Sequence, residues 1–135
     1  MPARIVLDRS AYAHFRAGHG GVVDMIAKAD VVQLPVTVLG ELEAGFRLGR
    51  RVAENRTILA QFLDEPWVSV LVITHDVALQ YGKVFANLRR AGTPIPTNDI
   101  WIAAAAIDAG SHVVTFDADF DHVEGLDCTV LESRG

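Results

Sequence analysis

Four carboxylates stand where an apolar segment ends or a helix begins. Asp8 closes Ile5-Val6-Leu7, and Glu41 lies one helical turn past Leu34-Pro35-Val36-Thr37. Asp99 follows Pro94-Ile95-Pro96-Thr97, and Asp117 follows Val113-Val114-Thr115. If the apolar segments are neighbouring parallel strands, all four acids meet at one edge of one sheet. Carboxylates crowded together raise one another's pKa and need cations beside them. A divalent-metal pocket follows, and with it phosphodiester hydrolysis.

Each acid also has a plainer local role. Asp8 can cap a helix starting near Ser10. Glu41, with Thr37 as the expected N-cap, has Val38, Gly45 and Leu48 at i−3, i+4 and i+7. A glutamate on such an apolar stripe costs several kcal/mol unless something pairs with it. Glu43 faces elsewhere and has Arg47 at i+4, a surface ion pair. Asp99 favours a helix N-terminus through the macrodipole. Yet its i+3, i+4 and i+7 neighbours are Ile102, Ala103 and Ala106, and Thr97 or Asn98 is available as a cap. Asp117, Asp119 and Asp121 alternate after a strand, with Asp119 an auxiliary ligand or surface acid and Asp121 solvated.

Other chemistries fail on the same residues. A calcium loop starting at Asp117 needs glycine sixth and glutamate twelfth, where His122 and Cys128 stand. An aspartyl-phosphate enzyme needs a second aspartate where Ser10 stands. Gly18-His19-Gly20-Gly21 is no Walker-type loop, and no Gly-x-Ser-x-Gly elbow occurs. His14, His19, His75, His112 and His122 lack zinc-ligand spacing. An all-carboxylate donor set favours Mg²⁺ or Mn²⁺.

The elements that must position these acids alternate. Strands are expected at Ile5–Leu7, Val31–Val36, Trp67–Ile73, His112–Thr115 and Asp127–Leu131. Helices are expected over Ser10–Ala17, Val22–Ala29, Thr37–Leu48, Val52–Leu63, Asp76–Arg90 and Thr97–Ala109. Gly49 and Gly110 stand just past two of these ends. Alternation of this kind predicts an α/β fold with a mostly parallel sheet of four to five strands, covered on both faces. In such sheets ligands bind at the carboxyl ends of the strands, where the acids are.

Bulk composition agrees. A chain of 135 residues, half of it hydrophobic, suits one domain over residues 1–135 with a real core. The apolar run Ile100–Ile107 is far short of the roughly 20 residues that span a bilayer, and Ile5-Val6-Leu7 is too short for a signal-peptide core. Cys128 is the sole cysteine, expected as a small buried hydrophobe in a reducing cytoplasm. The net charge of −5 opposes nucleic-acid binding unless metal ions cancel the clustered acids. Arg47, Arg50, Arg51 and Arg56, with Arg89 and Arg90, form either solvated helix faces or a phosphate-contacting rim.

Four stretches together resemble a known family: Ile5-Val6-Leu7-Asp8-x-Ser10, Val38-Leu39-Gly40-Glu41-Leu42-x-Ala44-Gly45, Pro96-Thr97-Asn98-Asp99-Ile100-Trp101-Ile102-Ala103-Ala104 and Val114-Thr115-x-Asp117-x-Asp119-Phe120. They are similar to the PIN-domain proteins, and within these to VapC-type toxins of bacterial toxin–antitoxin pairs. The resemblance implies a three-layer α/β/α fold and a cytoplasmic endoribonuclease using one or two Mg²⁺ or Mn²⁺ ions. It implies a tRNA, rRNA or mRNA substrate, a homodimer, and a VapB-like antitoxin whose C-terminal segment fills the active groove. Asp8, Glu41, Asp99 and Asp117 match the family's acidic quartet, and Asp119 a frequent fifth acid. Ser10, Asn98 and Thr115 match polar positions behind the ligands. Arg9 departs from the pattern, where a small polar residue is usual, and is a candidate RNA or antitoxin contact.

The expected site has Asp8 and Asp99 holding the principal ion, with Glu41 and Asp117 completing it and either one orienting the attacking water. A non-catalytic RNA- or protein-binding module and a nuclease acting on DNA are the alternatives.

Overall fold

The computed structural model describes residues 2–134. Its strands are β1 (Arg4–Leu7), β2 (Val31–Pro35), β3 (Val68–Leu71), β4 (His112–Thr115) and β5 (Cys128–Val130). All pair in parallel, in the order β3-β2-β1-β4-β5. The helices are α1 (Arg9–Arg16), α2 (Gly20–Lys28), α3 (Val36–Leu48), α4 (Val52–Leu63), α5 (His75–Ala91) and α6 (Thr97–Ala109). The chain steps from β1 to β2 to β3 in one direction, then returns past β1 to β4. Right-handed crossovers therefore put α1–α4 on one face and α5–α6 on the other, which gives three layers. Among the described residues, no helix is long and apolar enough to cross a membrane.

The central strands are apolar on both faces because helices cover both. Val6, Leu7, Val113 and Val114 are fully buried. On one face Phe62 of α4 meets Tyr12 and Phe15 of α1, with ring centroids 5.7 and 5.3 Å apart. On the other, Tyr81 of α5 stacks on Trp101 of α6 at 4.0 Å. The edge strands are shorter than expected and depart from two-sided burial. Val70 stays 39% exposed in β3, and every residue of β5 is half-buried. Cys128, in β5, is half-buried rather than buried.

Helix ends follow local chemistry, with two departures. Thr74 caps α5 by accepting from the Val77 amide, and Gly92 and Gly110 end α5 and α6 in the left-handed conformation. The expected cap at Thr37 is not formed. Proline occupies the cap position of both α3 (Pro35) and α6 (Pro96), and no side chain caps either helix. Proline's fixed φ suits this entry, so Thr37, Thr97 and Asn98 lie inside the first turns. The stripe around Glu41 is also shorter than expected. Val38 is fully buried, but Gly45 and Leu48 are exposed because α3 runs off the sheet edge. A 3₁₀ turn over Ala118–His122, not anticipated from the sequence, follows β4.

Candidate functional site

The strand order reverses between β1 and β4, and α/β sheets bind ligands outside such a switch point. A cavity of about 380 Å³ lies there. Asp8, Glu41, Asp99 and Asp117 all line it, with Arg9, Ser10 and Asn98. Pro96 and Thr97 form part of its wall, a role that their place in the helix-entry motif does not reveal.

Asp8 is the most constrained of the acids. It ends β1, caps α1 and is 5% exposed. Its Oδ1 accepts from the Ala11 amide at 2.9 Å and from the Ser10 hydroxyl at 2.8 Å. Its Oδ2 accepts from the Thr115 hydroxyl. Burial pushes the Asp8 carboxyl above its usual range, and the Thr115, Ala11 and Ser10 bonds oppose that rise. Thr115, fully buried at the end of β4, also accepts from the Asp117 amide at 3.0 Å. One hydroxyl thus joins the acid of β1 to the acid after β4. Ser10 repeats the device by accepting from the Phe116 amide at 3.1 Å. Both polar positions are therefore scaffolding between the two central strands.

Asp99 lies in the first turn of α6, half-buried, above Ile102, Ala103 and Ala106, which are fully buried. Burial raises its carboxyl to about 7, with Asp117, Glu41, Asp8 and Asp119 adding repulsion. Glu41 is also half-buried, and burial raises its carboxyl too. Arg9 draws it down, Asp8 pushes it up and Asn98 draws it down. Its Oε1 is nonetheless buried with no hydrogen-bond partner, as is Thr37 Oγ1 one turn earlier. Asp117 accepts from the Asp119 amide at 2.9 Å, which starts the 3₁₀ turn and brings Asp119 to the site. Oxygens of Asp99, Asp117 and Asp119 lie within 4.8 Å of one another. Among the described residues this trio could hold one ion, while Asp8 and Glu41 also line the cavity.

Residues outside the cavity have other partners. Glu43 binds Arg47 at 2.7 Å and also Arg56, and Arg51 stands 4.0 Å from Glu54. Three of the four arginines in that stretch are thus paired on the surface. Burial pushes the Cys128 thiol up to about 11, helped by the Asp121 bond, so it is no nucleophile at neutral pH. A ring cluster the sequence did not suggest flanks the site. His14 stacks on Phe116 at 3.7 Å, and His19 meets Phe116 edge-on at 4.9 Å.

The donor set suits a hard divalent cation. It is all oxygen, three carboxylates already converge, and a buried Glu41 oxygen lacks a partner.

Comparison with known proteins agrees with this geometry. The model of the PIN domain family matches residues 5–126. Ribonuclease VapC5 of Mycobacterium tuberculosis is 28% identical over 124 residues, covering 92% of this chain and 90% of that protein. The solved VapBC-5 toxin–antitoxin structure from the same organism aligns with a TM-score of 0.74 at 25% identity, over 97% of this chain and 99% of that one. DNA-bound VapBC from Salmonella typhimurium aligns with a TM-score of 0.83 at 22% identity, over 93% and 96%. Fold, acidic cavity and family match coincide along nearly the whole length, and the chain belongs to the PIN-domain family.

Proposed function

We propose that residues 1–135 act as one nuclease domain, a VapC-like endoribonuclease toxin that works in the cytoplasm. Its partners are RNA, a cognate VapB-like antitoxin and a second copy of the chain. The observation that carries this reading is the switch-point cavity lined by Asp8, Glu41, Asp99 and Asp117. The ribonuclease name of the relative from M. tuberculosis and the VapBC complexes among similar solved structures support the substrate and the antitoxin.

Asp99, Asp117 and Asp119 would hold Mg²⁺ or Mn²⁺, with Asp8 and Glu41 completing the site directly or through water. Bound there, the ion would neutralise charge and make a water acidic enough to ionise near neutral pH. The protein's own work is positioning. Thr115 and Ser10 fix Asp8 so that Oδ2, which accepts one bond, keeps a lone pair available. Glu41 lines the cavity, and its carboxyl, raised by burial, is suited to take a proton from the attacking water. The water oxygen bonds to phosphorus, the P–O3′ bond breaks, and the 3′ oxygen gains a proton. The products carry 5′-phosphate and 3′-hydroxyl.

Asp8→Asn tests the reading, because asparagine keeps the cap on α1 while removing the charge. With antitoxin removed, the wild-type chain should cut RNA in Mg²⁺ or Mn²⁺ and stop on chelation. The variant should still unfold cooperatively as a folded chain and cut nothing. Cleavage that survives either chelation or Asp8→Asn refutes the assignment. A wild-type chain that neither binds metal nor cuts would be a binding module, and preference for a DNA strand of the same sequence would change the substrate.

A further inference from the structure

Arg9 is the one cation among the residues that line the acidic cavity. It occupies the first position of α1, exposed, directly after the capping Asp8. Nothing in the folding of α1 calls for it there. A cation at a helix N-terminus meets the positive end of the macrodipole, an unfavourable placement worth about 0.3–1 kcal/mol. No ion pair holds it either. Among the described residues, the pairs within 4.0 Å join Lys28 to Asp24, Arg47 and Arg56 to Glu43, and Arg51 to Glu54. Arg9 stays unclamped although four carboxylates share its cavity.

Two roles compete for such a residue. As a fixed counter-ion of Glu41, it should sit against that carboxylate. It acts on Glu41 electrostatically, yet Glu41 Oε1 is buried without a partner. As a substrate contact, it should be exposed at the mouth, uncommitted and permanently charged, which describes it. A polyanion approaching a chain of net charge −5 needs a local positive group once the acids are occupied. The guanidinium fork suits two oxygens of one phosphate.

We infer that Arg9 binds an RNA phosphate at the mouth of the cavity and so holds the substrate to the protein in the ground and transition states alike. The inference rests on the proposed ribonuclease reading. It is tested with Arg9→Ala and Arg9→Lys in two assays. In the first, a short labelled single-stranded RNA of mixed sequence is bound across a salt series by protein carrying Asp8→Asn to prevent cleavage. Adding Arg9→Ala should lower affinity about tenfold and flatten the logarithmic salt slope by about 0.7, the share of one phosphate on a single strand. Arg9→Lys should keep the slope and recover part of the affinity. In the second, steady-state cleavage by Arg9→Ala should show KM raised about tenfold with kcat within about twofold of wild type. An unchanged slope overturns the inference. So does tighter Mn²⁺ binding by Arg9→Ala with RNA affinity unaltered, which would make Arg9 a counter-ion of Glu41. If the wild type binds RNA but cuts none, the ribonuclease reading fails while the salt slope still decides Arg9.

Discussion

Asp99 gives the sharpest stability prediction, because its ionised form is costly in the metal-free fold. Its carboxyl rises from 3.8 to about 7. That difference alone corresponds to about 4 kcal/mol. Asp99 is only half-buried, so solvent screening reduces the figure to about 2 kcal/mol. The folded state binds the proton more tightly than the unfolded chain, so stability falls as pH rises from about 4 to about 7. Asp8 and Glu41 are raised as well and act in the same direction. Glu43 is lowered to about 2 and matters only on the acid side of that window. Asp99→Asn should therefore stabilise the chelated protein at pH 8 by about 2 kcal/mol, a rise of about 7 °C in melting temperature for a chain of this size. The gain should vanish at pH 4. Mn²⁺ should stabilise the wild type at pH 8 and Asp99→Asn much less. Scanning calorimetry across pH, with chelator or Mn²⁺, measures all of this. A metal-free wild type whose stability is flat or rising between pH 4 and 7 would refute the reasoning.

Two other substitutions probe the supports of the site. Thr115→Val keeps the shape but removes the donor to Asp8 and the acceptor for the Asp117 amide. It should cost about 1–3 kcal/mol in urea unfolding and weaken Mn²⁺ binding, whereas Thr115→Ser should restore both. Glu41→Gln removes a charge whose Oε1 is buried and unpartnered. The metal-free variant should be at least as stable as wild type at pH 8 and inactive on RNA; a loss of more than about 1 kcal/mol would mean that Glu41 is a structural partner.

Periodicity made the α/β order legible because covered parallel strands are continuous apolar runs and glycines end helices. It lengthened β3 and β5 because edge strands lose burial on one side, and composition does not show which strands are edges. The expected caps at Thr37 and at Thr97 or Asn98 are not formed because proline supplies the helix-entry φ without a side-chain acceptor. The grouping of Asp8, Glu41, Asp99 and Asp117 was visible from their shared place at strand ends and helix starts. The closeness of Asp119 was not, since it depends on the 3₁₀ turn that Asp117 itself caps. Thr115 could be named from its motif, but the double bond it makes between β1 and β4 exists only once those strands are neighbours.

The four acids are not equivalent in folding, and that bears on why the pocket tolerates so much charge. Asp8 satisfies the amide of Ala11 at the start of α1. Asp117 does the same for the Asp119 amide. Asp99 lies in the first turn of α6, where the macrodipole favours a negative group. Asp8 and Asp117 are thus partly compensated by backbone amides, whereas the Asp99 carboxyl is raised to about 7 with no hydrogen bond to lower it. Glu41 lies in the second turn of α3 and caps nothing. No backbone amide offsets its burial; the nearby charge of Arg9 and the Asn98 side chain do so in part. Asp8 and Asp117 thus have a role in folding, and their types alone argue weakly for chemistry. Glu41 and Asp99 have no such bond, and the case for a cation-dependent function rests most heavily on them.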